Sequence, residues 1–317
     1  MNILITSAVR RVELVQEFKE KLNEILPGFK VFTTDLKPHL SAACQVSDGS
    51  FEAPGVTDSS YPEFLLNLCL SNNIRMVVPT IDTELLILSK IQKNLKKHKI
   101  SVIISSPELI GLCRDKRETI RLYEELAIDY PELYNLDDIT YPAFCKPYDG
   151  SCSIGIFKLS NPGDLSEEIV SNSKNMYTEF IGSNFKEYTC DAYFDSSSQL
   201  KCLVPRERLE VRSGEVSKGI TRKNFVYDFL IKRISHVKGA KGCITLQVFG
   251  NPDTGKVKAL EINPRFGGGY PLTSSSGVSY VEWLIREYFL EESIQFRDDW
   301  KDELVMLRYD AKVITHA

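Results

Sequence analysis

What this chain lacks narrows it first. It has eight cysteines, at 44, 69, 113, 145, 152, 190, 202 and 243, yet no two form a CxxC pair. Its four histidines, at 39, 98, 236 and 316, show no ligand spacing. A zinc or redox site is therefore not expected, and cysteines set among apolar neighbours read as small buried hydrophobes in a reducing, cytoplasmic setting. No apolar run approaches the roughly 20 residues that span a bilayer. Met1 to Thr6 is too short an apolar run for a signal peptide. A formal net charge of −4 gives no electrostatic case for nucleic acid or an anionic membrane. Internal repeats and low-complexity segments are absent as well.

What is present suits a protein with a large buried core. At 317 residues the chain has room for two or three compact units. The first hundred residues alternate strand and helix. Ile3 to Ile5 is a short buried strand, and Val12, Val15, Phe18, Leu22 and Ile25 recur at helical spacing until Pro27-Gly28. Val31 to Asp35 and Met76 to Pro79 read as strands, Tyr61 to Leu70 as a helix, and Leu85 to Leu95 as another before Val102 to Ile104. That order predicts a parallel sheet covered on both faces. Its first turn, Thr6 to Arg11, lacks the GxGxxG spacing of a dinucleotide site, and Asp35 alone is weak support for ribose binding. Pro79 to Glu84 lies at the carboxyl end of a strand, where it either lines a ligand crevice or caps the next helix. The lysines between 93 and 99 read as a solvated helix end.

The texture changes near residue 107. A helical segment carries Arg114 to Arg117, then a strand ends in Lys146. Gly150 to Gly155 form a small, flexible turn before the returning strand, suited to closing over phosphates through backbone N–H groups. Alone, such a hairpin is common, and Lys146 could simply snorkel. Met176 to Gly182 and Phe185 to Asp191 follow as strand, short loop and strand, with Glu179 and Glu187 at the two ends. Leu203 to Val211 is extended, with Arg206 and Arg208 on one face, and Gly214 to Gly219 reads as a glycine-bounded loop. Arg206, Arg208 and Lys218 are either holders of an anionic substrate or surface charges.

The most informative stretch is Ala259 to Gly269. Alternation along a strand projects Glu261, Asn263 and Arg265 to one face and sends Leu260, Ile262 and Pro264 toward packing. Asn251 to Gly255 reads as the turn of a hairpin, which brings Gln247 near Glu261 and Asn263. One carboxylate with two amides offers hard oxygen donors, as Mg²⁺ prefers at about 2.0–2.1 Å. Arg265 adds paired donors for a phosphoryl or carboxylate oxygen.

Taken together these segments resemble the ATP-grasp superfamily, and within it the carbamoyl-phosphate-synthase-like branch of carboxylate–amine ligases. The resemblance spans about residues 1 to 290, and the Gln247 strand followed by Glu261-Ile-Asn263-Pro-Arg265 is its most specific part. It implies an α/β, Rossmann-like pre-ATP-grasp domain (1–106) and a two-lobed α+β ATP-grasp domain, with a small lobe (107–175) and a large lobe carrying the metal site (176–317). It implies ATP and Mg²⁺, with Mn²⁺ as a substitute, as cofactors. Lys116 and Lys146 match basic contacts to the phosphates. Gly150, Ser151, Ser153 and Gly155 match the phosphate-covering loop, here poorer in glycine than usual. Glu179, Phe180 and Ile181 match the adenine hinge, and Glu187 the ribose carboxylate. Gln247, Glu261 and Asn263 match the metal ligands. Arg265 matches the arginine that steadies the transferred phosphate or acyl phosphate, and it and Lys146 are the implied catalytic residues.

The implied reaction joins a small-molecule carboxylate to an amine or thiol through an acyl phosphate. A bicarbonate- or formate-activating enzyme and a non-catalytic ATP-binding module are the alternatives. Related enzymes are often homodimers. A complete carbamoyl phosphate synthase large subunit carries two such halves, and this chain has room for one, so carbamoyl phosphate is not its expected product. Residues after about 295 match nothing assignable.

Overall fold

The computed structural model describes residues 1–150, 154–212 and 214–315. Five strands near the amino end, β1 (Asn2–Thr6), β2 (Val31–Asp35), β3 (Ser50–Glu52), β4 (Ile74–Pro79) and β5 (Ser101–Val102), form a parallel sheet of order β3-β2-β1-β4-β5. Ile3, Leu4 and Ile5 of the central strand are fully buried, since helices cover both faces. Those helices are α1 (Val12–Ile25), α2 (Ala42–Val46), α3 (Tyr61–Ser71) and α4 (Asp82–Lys97). On α1, Leu14, Val15, Phe18 and Leu22 recur three or four residues apart and bury one stripe. Lys96 and Lys97 close the last turn of α4 in solvent, where cations suit the helix dipole.

Next come α5 (Pro107–Arg114) and α6 (Lys116–Glu125), two helices where the pattern suggested one segment. Asp115 breaks them: its extended backbone ends the first, and its carboxylate caps the second by accepting from Arg117 N at 2.9 Å.

A four-stranded sheet, order β6-β9-β7-β8, contains β6 (Leu133–Tyr134), β7 (Ala143–Pro147), β8 (Phe157–Leu159) and β9 (Asn175–Glu179), with α7 (Glu167–Ser171) before β9. β9 pairs with β7 along its length, so the division expected between residues 175 and 176 falls inside this sheet. The chain changes sheets between Glu179 and Lys186 instead.

The remaining strands are β10 (Lys186–Phe194), β11 (Leu200–Arg212), β12 (Glu215–Thr221), β13 (Gly242–Gly250), β14 (Val257–Asn263) and β15 (Val305–Leu307). They form an antiparallel sheet of order β14-β13-β10-β11-β12-β15. Helices α8 (Phe225–Arg233), α9 (Tyr270–Ser275) and α10 (Tyr280–Phe289) pack with it into the main core. Residues 215–219 are strand, not loop: β11 and β15 flank β12 and supply ladder partners on both sides. The unassigned carboxyl-terminal stretch is thereby placed too. It adds β15 as the edge strand and buries Trp300 against Tyr227. No helix among the described residues is long and apolar enough to cross a membrane.

Candidate functional site

The β13–β14 hairpin sets Gln247 opposite Glu261 and Thr245 opposite Asn263. Its register shifts between Gln247 and Val248, so Leu260 is an extra residue on β14. A bulge of this kind re-aims side chains locally. Leu260 consequently joins Glu261 in lining the adjacent cleft, contrary to strict alternation, while Ile262 keeps its place in the core.

That cleft, about 360 Å³, lies between the four-stranded sheet and the hairpin. One end is polar, with Lys116, Lys146, Gln247 and Glu261; Phe144, Phe249, Leu260 and residues 178–181 line much of the rest, with Glu187 and Arg208 beside them. Lys146 and Phe144 share a face of β7, so one strand supplies both an apolar wall and a cation. Lys116, the first residue of α6, donates to Gly150 O at 2.6 Å and pairs with Glu261 at 3.4 Å. It thus ties the β7–β8 turn to the hairpin. Asn263 Nδ2 donates to Glu261 Oε1 at 2.5 Å. Burial resists ionisation of Glu261, but Lys116, Asn263, Arg265 and Lys146 outweigh it and hold its carboxyl below the usual range. Lys146 shows the converse. Burial, reinforced by Lys116 and opposed by Glu261, pushes its pKa down to about 8.

Arg265 points toward the amino-terminal sheet and pairs with Asp82 of α4 at 2.6 Å. Asp82, which the sequence allows as either helix cap or ligand contact, holds the guanidinium with its carboxylate, while Oδ1 is buried without a hydrogen-bond partner among the described residues. Asp82→Ala is expected to lower stability by about 1–3 kcal/mol, as for a partly buried charged hydrogen bond. Denaturant unfolding of the two proteins measures it, and an unchanged midpoint would contradict the clamp. Asp35, the weak ribose candidate, instead accepts from Val9 N at 2.9 Å and shapes the β1–α1 turn.

The other candidates divide. Glu179, Phe180, Ile181 and Glu187 all line the cleft. Glu179 is bound by Lys258, and Glu187 pairs with Arg208 at 2.6 Å. Gly150 also lines it, and Gly155 adopts a φ of +69°, which favours glycine. Ser151 and Ser153 lie outside the described residues.

Of the three substrate candidates, only Arg208 reaches the cleft. Arg206 is enclosed, its side chain 1% exposed, and pairs with the fully buried Asp191 at 2.9 Å. It braces the core and is closed to a ligand. Lys218 pairs with Glu210 at 2.6 Å, both about half exposed, and is a surface charge. Phe144, Phe249 and Leu260 were not singled out in the sequence, although Phe249 follows Gln247 by two residues and so shares its face.

Residues 3–103 match the family model "PylC-like, N-terminal domain", and residues 176–309 match "ATP-grasp in the biosynthetic pathway with Ter operon". The two matches set a PylC-like amino-terminal domain before an ATP-grasp domain. Solved structures with this ATP-grasp architecture include the biotin carboxylase domain dimer of Hydrogenobacter thermophilus 2-oxoglutarate carboxylase, in complex with MgADP, ADP and bicarbonate. That similarity has 16% identity and a TM-score of 0.71 and covers 96% of this chain and 73% of that one. Campylobacter jejuni biotin carboxylase gives 16% identity and a TM-score of 0.72 over 96% of this chain and 74% of that one. Staphylococcus aureus N5-carboxyaminoimidazole synthetase, complexed with ADP, gives 16% identity and a TM-score of 0.69 over 96% of this chain and 79% of that one. The comparison with curated proteins gives no match.

Among the described residues, no three His, Cys, Asp or Glu side chains converge as a metal cage. The β13–β14 hairpin offers one carboxylate, Glu261, and the amide groups of Gln247 and Asn263. This set fits Mg²⁺, which commonly takes one or two carboxylates and completes its shell with phosphates and water.

Proposed function

We propose that the protein is an ATP-dependent ligase that activates a carboxylic acid as an acyl phosphate. The observation that carries this reading is the convergence of Lys116, Lys146, Gln247 and Glu261 at one end of a cleft that also offers apolar walls at Phe144, Phe249 and Leu260, with Asn263 held on Glu261. Arg265 lies close enough for its charge to act on Glu261. Adenine would lie among Phe144, Phe249 and residues 178–181, with the phosphates directed to the two lysines. Glu261, Asn263 and Gln247 would hold Mg²⁺. When bound, that ion supplies charge neutralisation at the β- and γ-phosphate oxygens.

In the first step a carboxylate oxygen attacks the γ-phosphorus, the bond to the β-phosphate bridging oxygen breaks, and ADP leaves. In the second, an amine or thiol attacks the acyl carbon and loses its proton as the carbon–oxygen bond to phosphate breaks. Phosphoryl transfer asks mainly for positioning and charge neutralisation, which Lys116, Lys146 and Arg265 provide without a nucleophilic side chain. The finer placement in the carbamoyl-phosphate-synthase-like branch rests on the Gln247, Glu261 and Asn263 donor set. A homodimer belongs to the same proposal, supported by the biotin carboxylase domain dimer among the similar structures.

A second reading makes bicarbonate the acid, supported by the bicarbonate bound in that same relative. ADP release by the purified protein, with Mg²⁺, ATP and pools of carboxylates and amines, tests both. Release that requires an organic acid is expected. Release supported by bicarbonate alone would favour the second reading. Tight ATP binding with no stimulation by any acid would leave a non-catalytic module.

A further inference from the structure

A second cavity, about 730 Å³, opens where the β1–α1 turn meets the glycine run after Arg265 and the carboxyl-terminal segment. Three guanidinium groups converge there on one carboxylate. Arg10 and Arg11 approach Glu215 Oε1 at 3.3 and 3.1 Å, and Arg308 approaches Oε2 at 3.1 Å. Across the whole lining, Arg10, Arg11, Arg212, Arg308 and Lys312 face Glu13, Glu215 and Asp310, which leaves an excess of two positive charges inside a concave, partly apolar site. Lining cavities of this size commonly hold small molecules by a few convergent polar groups.

The surrounding backbone is shaped to present them. Ser7 and Val9 hold φ values of +53° and +43°, in the left-handed region that non-glycine residues rarely occupy. Such strain collects where a loop must aim functional groups. The turn also follows β1, the central strand of the parallel sheet, at the carboxyl ends of the strands, where open α/β sheets take ligands. Gly268 keeps the approach clear: a Cβ there would come within 2.8 Å of Arg11 Nη1 and 2.9 Å of the Glu215 carboxylate. Arg308 arrives from the far end of the chain, positioned by β15 and by its own N–H on Ser217 O at 2.9 Å, and it also donates to Gly268 O. Burial lowers the pKa of Arg11, as do the charges of Arg265 and Arg10, against the opposing pull of Glu215. An added anion would relieve that repulsion, and Gly267 of this cavity lies two residues along the chain from Arg265.

We propose that this cavity holds the acid substrate, a small organic acid bearing at least two negative charges, with its anionic groups on Arg10, Arg11 and Arg308. The inference rests on the ligase reading and narrows its substrate class. A monocarboxylate would leave part of the positive excess uncompensated, whereas a polycarboxylate or a phosphorylated acid neutralises it.

Isothermal titration calorimetry on the full chain tests this, with Mg²⁺ and a saturating non-hydrolysable ATP analogue occupying the first cleft. The probes are citrate, 3-phosphoglycerate and acetate. Citrate or 3-phosphoglycerate should bind at least about tenfold more tightly than acetate, and Arg308→Ala should cost about tenfold of that affinity, the scale of one charged hydrogen bond. The better of the two polyanions tells carboxylate from phosphate recognition. Arg10→Ala, at a mostly exposed side chain, should weaken it in the same direction without disturbing the fold. Affinity for the ATP analogue should stay within about twofold in both variants, as neither side chain lines its cleft. Failure of both polyanions to bind wild type, or binding that survives both substitutions, would overturn the site. Polyanion binding without any binding of the analogue would instead overturn the ATP reading and, with it, the substrate role given to this cavity.

Discussion

Glu261→Ala is expected to reduce acid-dependent ADP release by about a thousandfold, the scale on which a preorganised charge at the reacting phosphate contributes. Two effects combine. The variant loses the one carboxylate of the Gln247, Glu261 and Asn263 set, and Lys116, Lys146 and Arg265 lose the anion that offsets them. Glu261→Gln keeps the shape and a hydrogen-bonding oxygen but not the charge, so it should be nearly as inactive. Both variants should also melt below the wild type at pH 7, because buried cations left unpaired cost about 3 kcal/mol or more. Retention of even a tenth of wild-type turnover by the alanine variant would remove Glu261 from the metal site.

The parts of the site legible in the sequence are those fixed locally. Gln247 could be set against Glu261 by counting back from the Asn251 to Gly255 turn, because a short hairpin determines its own register. The Leu260 bulge escaped the same count, since one inserted residue carries no compositional mark. Lys116 shows the opposite limit. Its role came from resemblance, and its contacts, Gly150 O and Glu261, lie 34 and 145 positions away.

Arg206 and Arg208 show why like residues diverge. Alternation gives them one face of β11, yet Asp191 on neighbouring β10 draws Arg206 into the core and also accepts from Thr245 and Thr273. Glu187 on the same strand keeps Arg208 at the cleft. Burial therefore follows from a neighbouring strand and from α9, which a single strand does not encode. Residues 215–219 failed for a related reason. Glycine and polar residues read as loop until strands on both sides supply the ladder, and tertiary pairing then overrides propensity. The arginines of the β1–α1 turn were visible only as a failed dinucleotide motif. Their carboxylate partner and the third arginine lie about two and three hundred residues downstream.

Lys146→Met should make the protein more stable at neutral pH while weakening its hold on ATP. The ammonium is buried beside Lys116, and its pKa falls to about 8 from the 10.5 of a free lysine. Between those two values the unfolded chain binds more protons than the folded one, so this group makes stability rise with pH across that window. Below about pH 8 it is charged in both states, and the full cost of keeping the charge buried is present, roughly 3 kcal/mol at most. Methionine fills similar space without that cost, so the variant should unfold at higher denaturant at pH 7, with the difference shrinking toward pH 10. ATP reverses the preference, because its phosphates favour the ammonium. Wild-type affinity should therefore fall about tenfold between pH 7 and 9 as the free lysine loses its proton. The methionine variant should bind weakly at both values and lack this step. A variant no more stable than wild type at pH 7, or one that keeps the wild-type pH profile for ATP, would mean that Lys146 is neither strained by burial nor in contact with the phosphates. Expected together, greater stability and lost affinity identify a charge kept in place for its ligand at the expense of the fold.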